Sequence, residues 1–274
     1  MKPMSNFEAY KNIGAYNASM LKNFLEGEKT GIWKRENPKE DTKAIINGRF
    51  FHDKIDGFLK KDKNLLSEYA ILEIMETEVF GTEINRRKKE YQGWKKSIEG
   101  LTFVDENINA AADSLLDSDV FRILTEDGGQ PEFNLVADYN EEIKLKGRLD
   151  YLPAFMPVII DWKTIAKLPN VKNVEYAIRD YNYKFSAAFY SYLCFKNFGE
   201  WYDFLFVFVQ STAPYDIGLY TIPAYKLEPY FYEVIEPIIL VAHELITKKR
   251  KPKFLHEQYI HDNNLLGSFY EKSF

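Results

Sequence analysis

Lys146-Gly-Arg-Leu-Asp150, followed after a short apolar interval by Ile160-Asp161-Trp-Lys163-Thr164, leaves fewer folds open than any other part of the chain. The two stretches read as neighbouring β-strands, the first ending in an acid and the second in an acid and a lysine. Asp161 and Lys163 are two residues apart, so on an extended strand their side chains leave by the same face. Val158, Ile159 and Ile160 just before them form an apolar run suited to an interior strand. Two acids and an amine at the mouth of a buried sheet are costly unless something compensates them. A divalent metal and a phosphate would do so.

The rest of the chain frames these strands. Asn17 to Phe24 has the spacing of a short helix capped by Asn17 or Ser19, and a second helix is expected through Ala44 to His52. Leu65 to Phe80 has helical apolar spacing, with room for a strand near Glu78-Val-Phe80. Glu83 to Ile98 is polar and helix-compatible, and Asp105 is placed to cap a helix through Leu116. Thr125-Glu-Asp-Gly-Gly-Gln-Pro131 is the clearest break. After it the period becomes extended over 132–137, 142–151 and 157–163. A long helix is expected over Val171 to Phe198, strands over Phe204 to Gln210 and Ile217 to Ile222, and a closing helix over Leu227 to Lys249, bent at Pro237. The expectation is an α/β (α+β) core with a mixed sheet. A helical section, residues 1–125, would contribute to a site in the core, residues 126–274, the whole forming one compact unit.

Composition narrows the setting. With 274 residues, 46% of them hydrophobic and 16% aromatic, the chain can bury one large core. Its formal charge of -5 means that any contact with nucleic acid must rely on local basic surface and on metal in the acidic site. Cys194 is the only cysteine, which excludes disulfide frameworks, zinc knuckles and cysteine-ligated clusters within one chain. The amino terminus lacks the apolar core of a secretory signal, and the apolar runs are too short to cross a bilayer. A reducing, cytoplasmic setting without a membrane partner is expected.

Phosphodiester hydrolysis needs an activated water, a held phosphate and neutralisation of the leaving oxygen. Hard oxygen ligands suit Mg²⁺ or Mn²⁺, and carboxylates on strands can fix such an ion beside phosphate oxygens. Asp150 and Asp161 are the candidate ligands, and Lys163 is placed to orient water or stabilise charge. The competing reading is a surface hairpin with solvated ion pairs.

These residues resemble the PD-(D/E)xK nuclease superfamily, and more narrowly the RecE-like (exodeoxyribonuclease VIII type) exonucleases of phages and prophages. Gly147-Arg-Leu-Asp150 resembles that family's Gly/Cys-Arg-x-Asp strand, and Asp161-Trp-Lys163-Thr164 its Asp-x-Lys-Thr strand. Gly48-Arg-Phe-Phe-His52 resembles its Gly-x-x-x-His helix, Glu132 a glutamate before the first core strand, and Asn17 to Lys22 its opening Ser-x-Leu-Lys segment. The likeness runs with gaps from about residue 15 to 225.

The resemblance implies a restriction-endonuclease-like core and a Mg²⁺-dependent exonuclease, Mn²⁺ substituting, that digests double-stranded DNA ends 5′ to 3′. It implies a ring of three or four copies and a single-strand annealing protein as recombination partner, in the cytoplasm of a bacterium or phage-infected cell. It makes His52 a metal ligand, Glu132 and Tyr190 site residues, and Arg148 and Ser186 contacts to DNA. Against this, His52 and Glu132 each also fit a bland role, as a packed histidine and a solvated acid. In Tyr183-Lys-Phe-Ser186-Ala-Ala-Phe-Tyr190 the chain departs from the family's Tyr-x-x-Gln-Ala-x-x-Tyr, for Ser186 is too short to reach as glutamine does unless a water bridges. Arg86, Arg87 and Lys89 form either a track for phosphates or a solvated helix face. An endonuclease of the same superfamily, or a weakened nuclease fold serving as a DNA-end or annealase-binding module, stays open beside the exonuclease.

Overall fold

A computed structural model describes residues 10, 12–38, 40–81, 86, 88–98 and 101–253. Its centre is a five-stranded mixed sheet in the order β3-β4-β5-β6-β7: β3 (Gly129–Asp138), β4 (Lys144–Pro153), β5 (Val158–Ile165), β6 (Asp203–Gln210) and β7 (Ile217–Ile222). β5 and β6 are parallel and every other pair is antiparallel. A parallel pair needs a crossover. Here it is α8 (Val171–Asp180) and α9 (Tyr183–Phe198).

Both faces of the sheet are covered. On one, α9 packs with α1 (Ala18–Lys22), α10 (Ala224–Tyr230) and α11 (Glu236–Ile246) around Leu145, Leu149, Ile159, Phe204, Phe206 and Phe208. On the other, α3 (Lys43–Lys60), α6 (Glu106–Leu116) and α7 (Asp119–Thr125) cover Tyr151, Ile160, Trp162, Val207 and Val209. Apolar runs such as Phe204 to Val209 follow from burial on both faces. The expected mixed α+β architecture is present.

Several local expectations are met. Asn17 caps α1 by accepting the Met20 N–H at 2.9 Å, and Thr42 caps α3 through the Ile45 N–H at 3.4 Å. Others need correction. Val171 to Phe198 is two helices, because Asn182 adopts a left-handed φ of 51°, a conformation that asparagine tolerates better than most residues. The segment at Glu78-Val-Phe80 belongs to a helix, α4 (Leu72–Phe80), not a strand. Two short strands lie elsewhere, β1 (Tyr69–Ile71) and β2 (Thr102–Val104), paired in parallel. The polar segment forms α5 (Lys89–Ser97), and α2 (Glu28–Glu36) precedes α3. The closing helix ends at Ile246, and its irregular turn is a π-helical stretch, Phe231–Ile235, between Pro229 and Pro237. Prolines at both ends remove donors from the regular ladder and favour such a break. Asp105 precedes α6 but does not cap it, its carboxylate being taken by Lys43 and by Asn47 Nδ2 at 2.5 Å.

Just past α11 an ion pair ties the chain back to α2. Arg250 donates from both terminal nitrogens to buried Glu28, at 2.6 and 2.7 Å. No helix among the described residues is long and apolar enough to cross a membrane.

Candidate active site

β4 and β5 are registered through Tyr151 and Ile160, which places Asp150 and Asp161 on adjacent strands at the point where they part. There the Asp150 carboxylate accepts the backbone N–H of Trp162 at 3.1 Å. Strict alternation would put Leu149 and Tyr151 in one core, yet they lie in opposite cores. The strand therefore rolls over at Asp150. Across from it on β3, Glu132 holds a φ of 53°, a strained value for a residue with a side chain.

Lys163 completes the cluster. Its ammonium lies 2.5 Å from Asp161 Oδ2 and 3.6 Å from Asp150 Oδ2. The Asp161 oxygen is buried, and the ammonium meets it as a close ion pair. Burial raises the Asp161 carboxyl to about 6, with Lys163 opposing and Asp150 adding to the rise. Burial disfavours the charged Lys163 as well, but the two carboxylates outweigh it and hold its pKa above the usual value.

The other expected residues gather from separate elements. His52 of α3 brings Nδ1 to 3.4 Å from Asp150 Oδ2. Burial, then Lys163, pull the imidazole down to about 3, so it is neutral and keeps a lone pair. Glu132 pairs with Arg148 and is raised to about 7, chiefly by burial. The half-buried Tyr190 of α9 stacks on Phe204 and feels the field of both aspartates, burial being the larger cause of its raised pKa. Gly147 explains how α9 comes so close, since a Cβ there would sit 2.6 Å from Leu193 Cδ1 and 2.9 Å from the Tyr190 ring. Ser186 lies on the same side of α9, three residues after Tyr183 and four before Tyr190, half-buried, its hydroxyl without a hydrogen-bond partner among the described residues.

The described basic residues of the front segment have other surroundings. Arg86 forms bonds of 3.2 and 2.6 Å to Glu76, a carboxylate only 1% exposed, and so neutralises an internal acid. Lys89 is exposed at the start of α5, and Arg87 lies outside the described residues. Two further neighbours surround the cluster, Lys22 from the opening segment and Asp56, which carries no sequence signal of its own. Lys22 ends α1 within the field of Asp161 and Lys163. Asp56, one turn along α3 from His52, is buried with Oδ1 unbonded and Oδ2 2.8 Å from Lys60. Helical spacing would have put Asp56 beside His52, but only once His52 was known to face the site.

A family described as a PDDEXK-like domain of unknown function matches residues 17–254. The chain belongs to this family. Its fold is that of the PD-(D/E)xK nuclease superfamily. A crystal structure of a candidate exonuclease from Eubacterium rectale superposes with a TM-score of 0.59 over 96% of this chain and 94% of that one, at 15% identity. A phage-related exonuclease from Haemophilus somnus is similar more loosely, with a TM-score of 0.37, 14% identity, and coverage of 86% of this chain and 96% of that one. No curated protein matches.

The cluster offers donors for a divalent cation. Among the described residues no three His, Cys, Asp or Glu side chains stand arranged as a ready-made cage. Mg²⁺ does not require one, since it keeps several waters and is held by one or two carboxylates plus substrate phosphate. Asp150 and Asp161 supply two carboxylates, the buried Asp161 Oδ2 has no hydrogen-bond partner, and the neutral His52 stands beside Asp150. The donor set fits.

Proposed function

We propose that the chain is a Mg²⁺-dependent deoxyribonuclease, Mn²⁺ substituting, that degrades duplex DNA from its 5′ ends and leaves 3′ single strands for annealing. One observation carries the nuclease reading: Asp150, Asp161 and Lys163 meet within ion-pairing distance on two adjacent strands, with His52 brought to them from a helix far away in sequence. A solvated surface hairpin would not bury Asp161 to 6% exposure. Polarity, a ring of three or four copies and an annealing partner are supported by the resemblance to RecE-like exonucleases.

In this reading Asp150 and Asp161 would hold the cation, with His52 as a further donor, and Tyr190 and Glu132 line the cleft. A bound divalent ion would neutralise phosphate charge and lower the pKa of water. Lys163 exchanges its carboxylate partners for the substrate, orienting the attacking water and opposing charge on the phosphate. The Trp162 N–H keeps Asp150 oriented throughout.

End-labelled linear duplex and covalently closed circles, each incubated with protein and Mg²⁺, test the proposal. Loss of 5′ labels with survival of circles is expected. Rapid linearisation of circles would favour an endonuclease, and intact DNA in both arms would leave a non-catalytic DNA-end module.

A further inference from the structure

Lys22 is the one basic residue of α1 near the carboxylates, and the fold fixes it there. Just before α1, Tyr16 bridges to Leu145 of β4, its N–H donating to the Lys144 carbonyl at 2.9 Å and its carbonyl accepting the Lys146 N–H at 2.8 Å. Leu21 is fully buried beside Lys22. The Lys22 ammonium lies 5.7 Å from the centroid of the Tyr183 ring, and Lys163 lies 5.8 Å from the same centroid. Tyr183 is held in turn by stacking on Phe206.

The two lysines differ in what balances them. Lys163 has Asp161 and Asp150. Lys22 has no carboxylate at ion-pairing distance among the described residues, only a long 3.3 Å bond to the Tyr181 carbonyl. Burial pulls it down to about 8 even though Asp161 attracts it. A half-enclosed ammonium without a counter-charge is stabilised by any anion that arrives beside it. The nearest acids are already engaged by Lys163.

Building on the nuclease reading above, we propose that Lys22 and the Tyr183 ring form a phosphate subsite, gripping the backbone phosphate next to the one held at Asp150 and Asp161. Lys163 serves the scissile phosphate and Lys22 its neighbour. Lys22 is thus a binding and positioning residue, fixing the strand's path so that the scissile linkage meets the carboxylates.

The test is binding of the full chain to a short DNA duplex in Ca²⁺ at several salt concentrations. Lys22→Met is expected to weaken binding about tenfold and to lower the salt slope by roughly one unit, with Lys22→Arg restoring both. A second measurement needs no fragile variant. A single neutral methylphosphonate, walked along the linkages of the strand end, should weaken wild-type binding at one position beside the scissile linkage. At that position it should add no further loss to Lys22→Met. Tight duplex binding by the wild type with an unchanged slope in Lys22→Met, or losses that simply add, would overturn the subsite and leave the nuclease reading intact. Failure of the wild type to bind duplex at all would overturn both.

Discussion

Asp150 and Trp162 are joined across the gap between two strands, the aspartate carboxylate accepting the tryptophan's backbone N–H at 3.1 Å. The bond replaces a ladder contact where β4 and β5 separate, so one carboxylate both closes the sheet and faces the proposed metal. The two roles are separable. Asp150→Asn keeps an oxygen for the Trp162 N–H and should fold nearly as well as the wild type while losing Mg²⁺-dependent hydrolysis. Asp150→Ala should lose hydrolysis and also about 1–3 kcal/mol of stability, because a backbone donor is left unpaired. Urea unfolding beside a nuclease assay reads both. Equal stability of the two variants would show that the bond contributes nothing.

Lys163 holds together two acids that would otherwise repel each other. Lys163→Met should therefore abolish hydrolysis yet bind Mn²⁺ severalfold more tightly, since the competing ammonium is gone and two close carboxylates favour a divalent ion. The variant should be less stable without metal and recover on adding Mn²⁺, as binding to the folded state alone requires. Calorimetry and thermal unfolding at increasing Mn²⁺ check this. A loss of Mn²⁺ affinity matching that of Asp161→Asn would make the lysine's role structural.

Gly147 is required by packing. An alanine methyl would meet Leu193 and the Tyr190 ring well inside contact distance, forcing α9 off the sheet. Gly147→Ala should cost about 1–3 kcal/mol and lower activity by displacing Tyr190. Adding Leu193→Ala relieves one clash and should recover part of the activity lost. A single variant with wild-type melting temperature and activity would contradict the close approach.

How much of this was legible in the sequence depends on whether the signal is local. Asp161 and Lys163 sit two apart on one strand, so their common face followed from period alone, and the apolar run at 158–160 marked that strand as interior. His52, Glu132 and Tyr190 reach the site from a helix, a third strand and the crossover, and no spacing relates them; only the resemblance suggested their place. Lys22 was visible as part of an opening segment but not as a neighbour of Asp161, because its position depends on the Tyr16 bridge to β4. The same limit produced the local errors. Residues 171–198 keep helical spacing through Asn182, and nothing in that pattern announces a left-handed residue. Arg86 looked like free basic surface because Glu76, its partner, is buried only by tertiary packing.

Glu132 gives a pH test of how the cleft is built. Burial raises it to about 7 in the folded chain, against an ordinary value near 4.5. Between these values the folded state keeps a proton that the unfolded state has released. Stability from this group therefore falls as pH rises from about 4.5 to 7, and is level above that. Glu132→Gln removes the titration, so the variant should gain on the wild type over that interval, by about 3 kcal/mol. The lost ion pair to Arg148 shifts the two curves by a separate offset. Only the slope of their difference carries the test. Chemical denaturation of both proteins without metal, at pH values from 4.5 to 8, measures it. A difference that stays flat across the interval would mean that Glu132 is charged throughout, and that Arg148 rather than burial governs it.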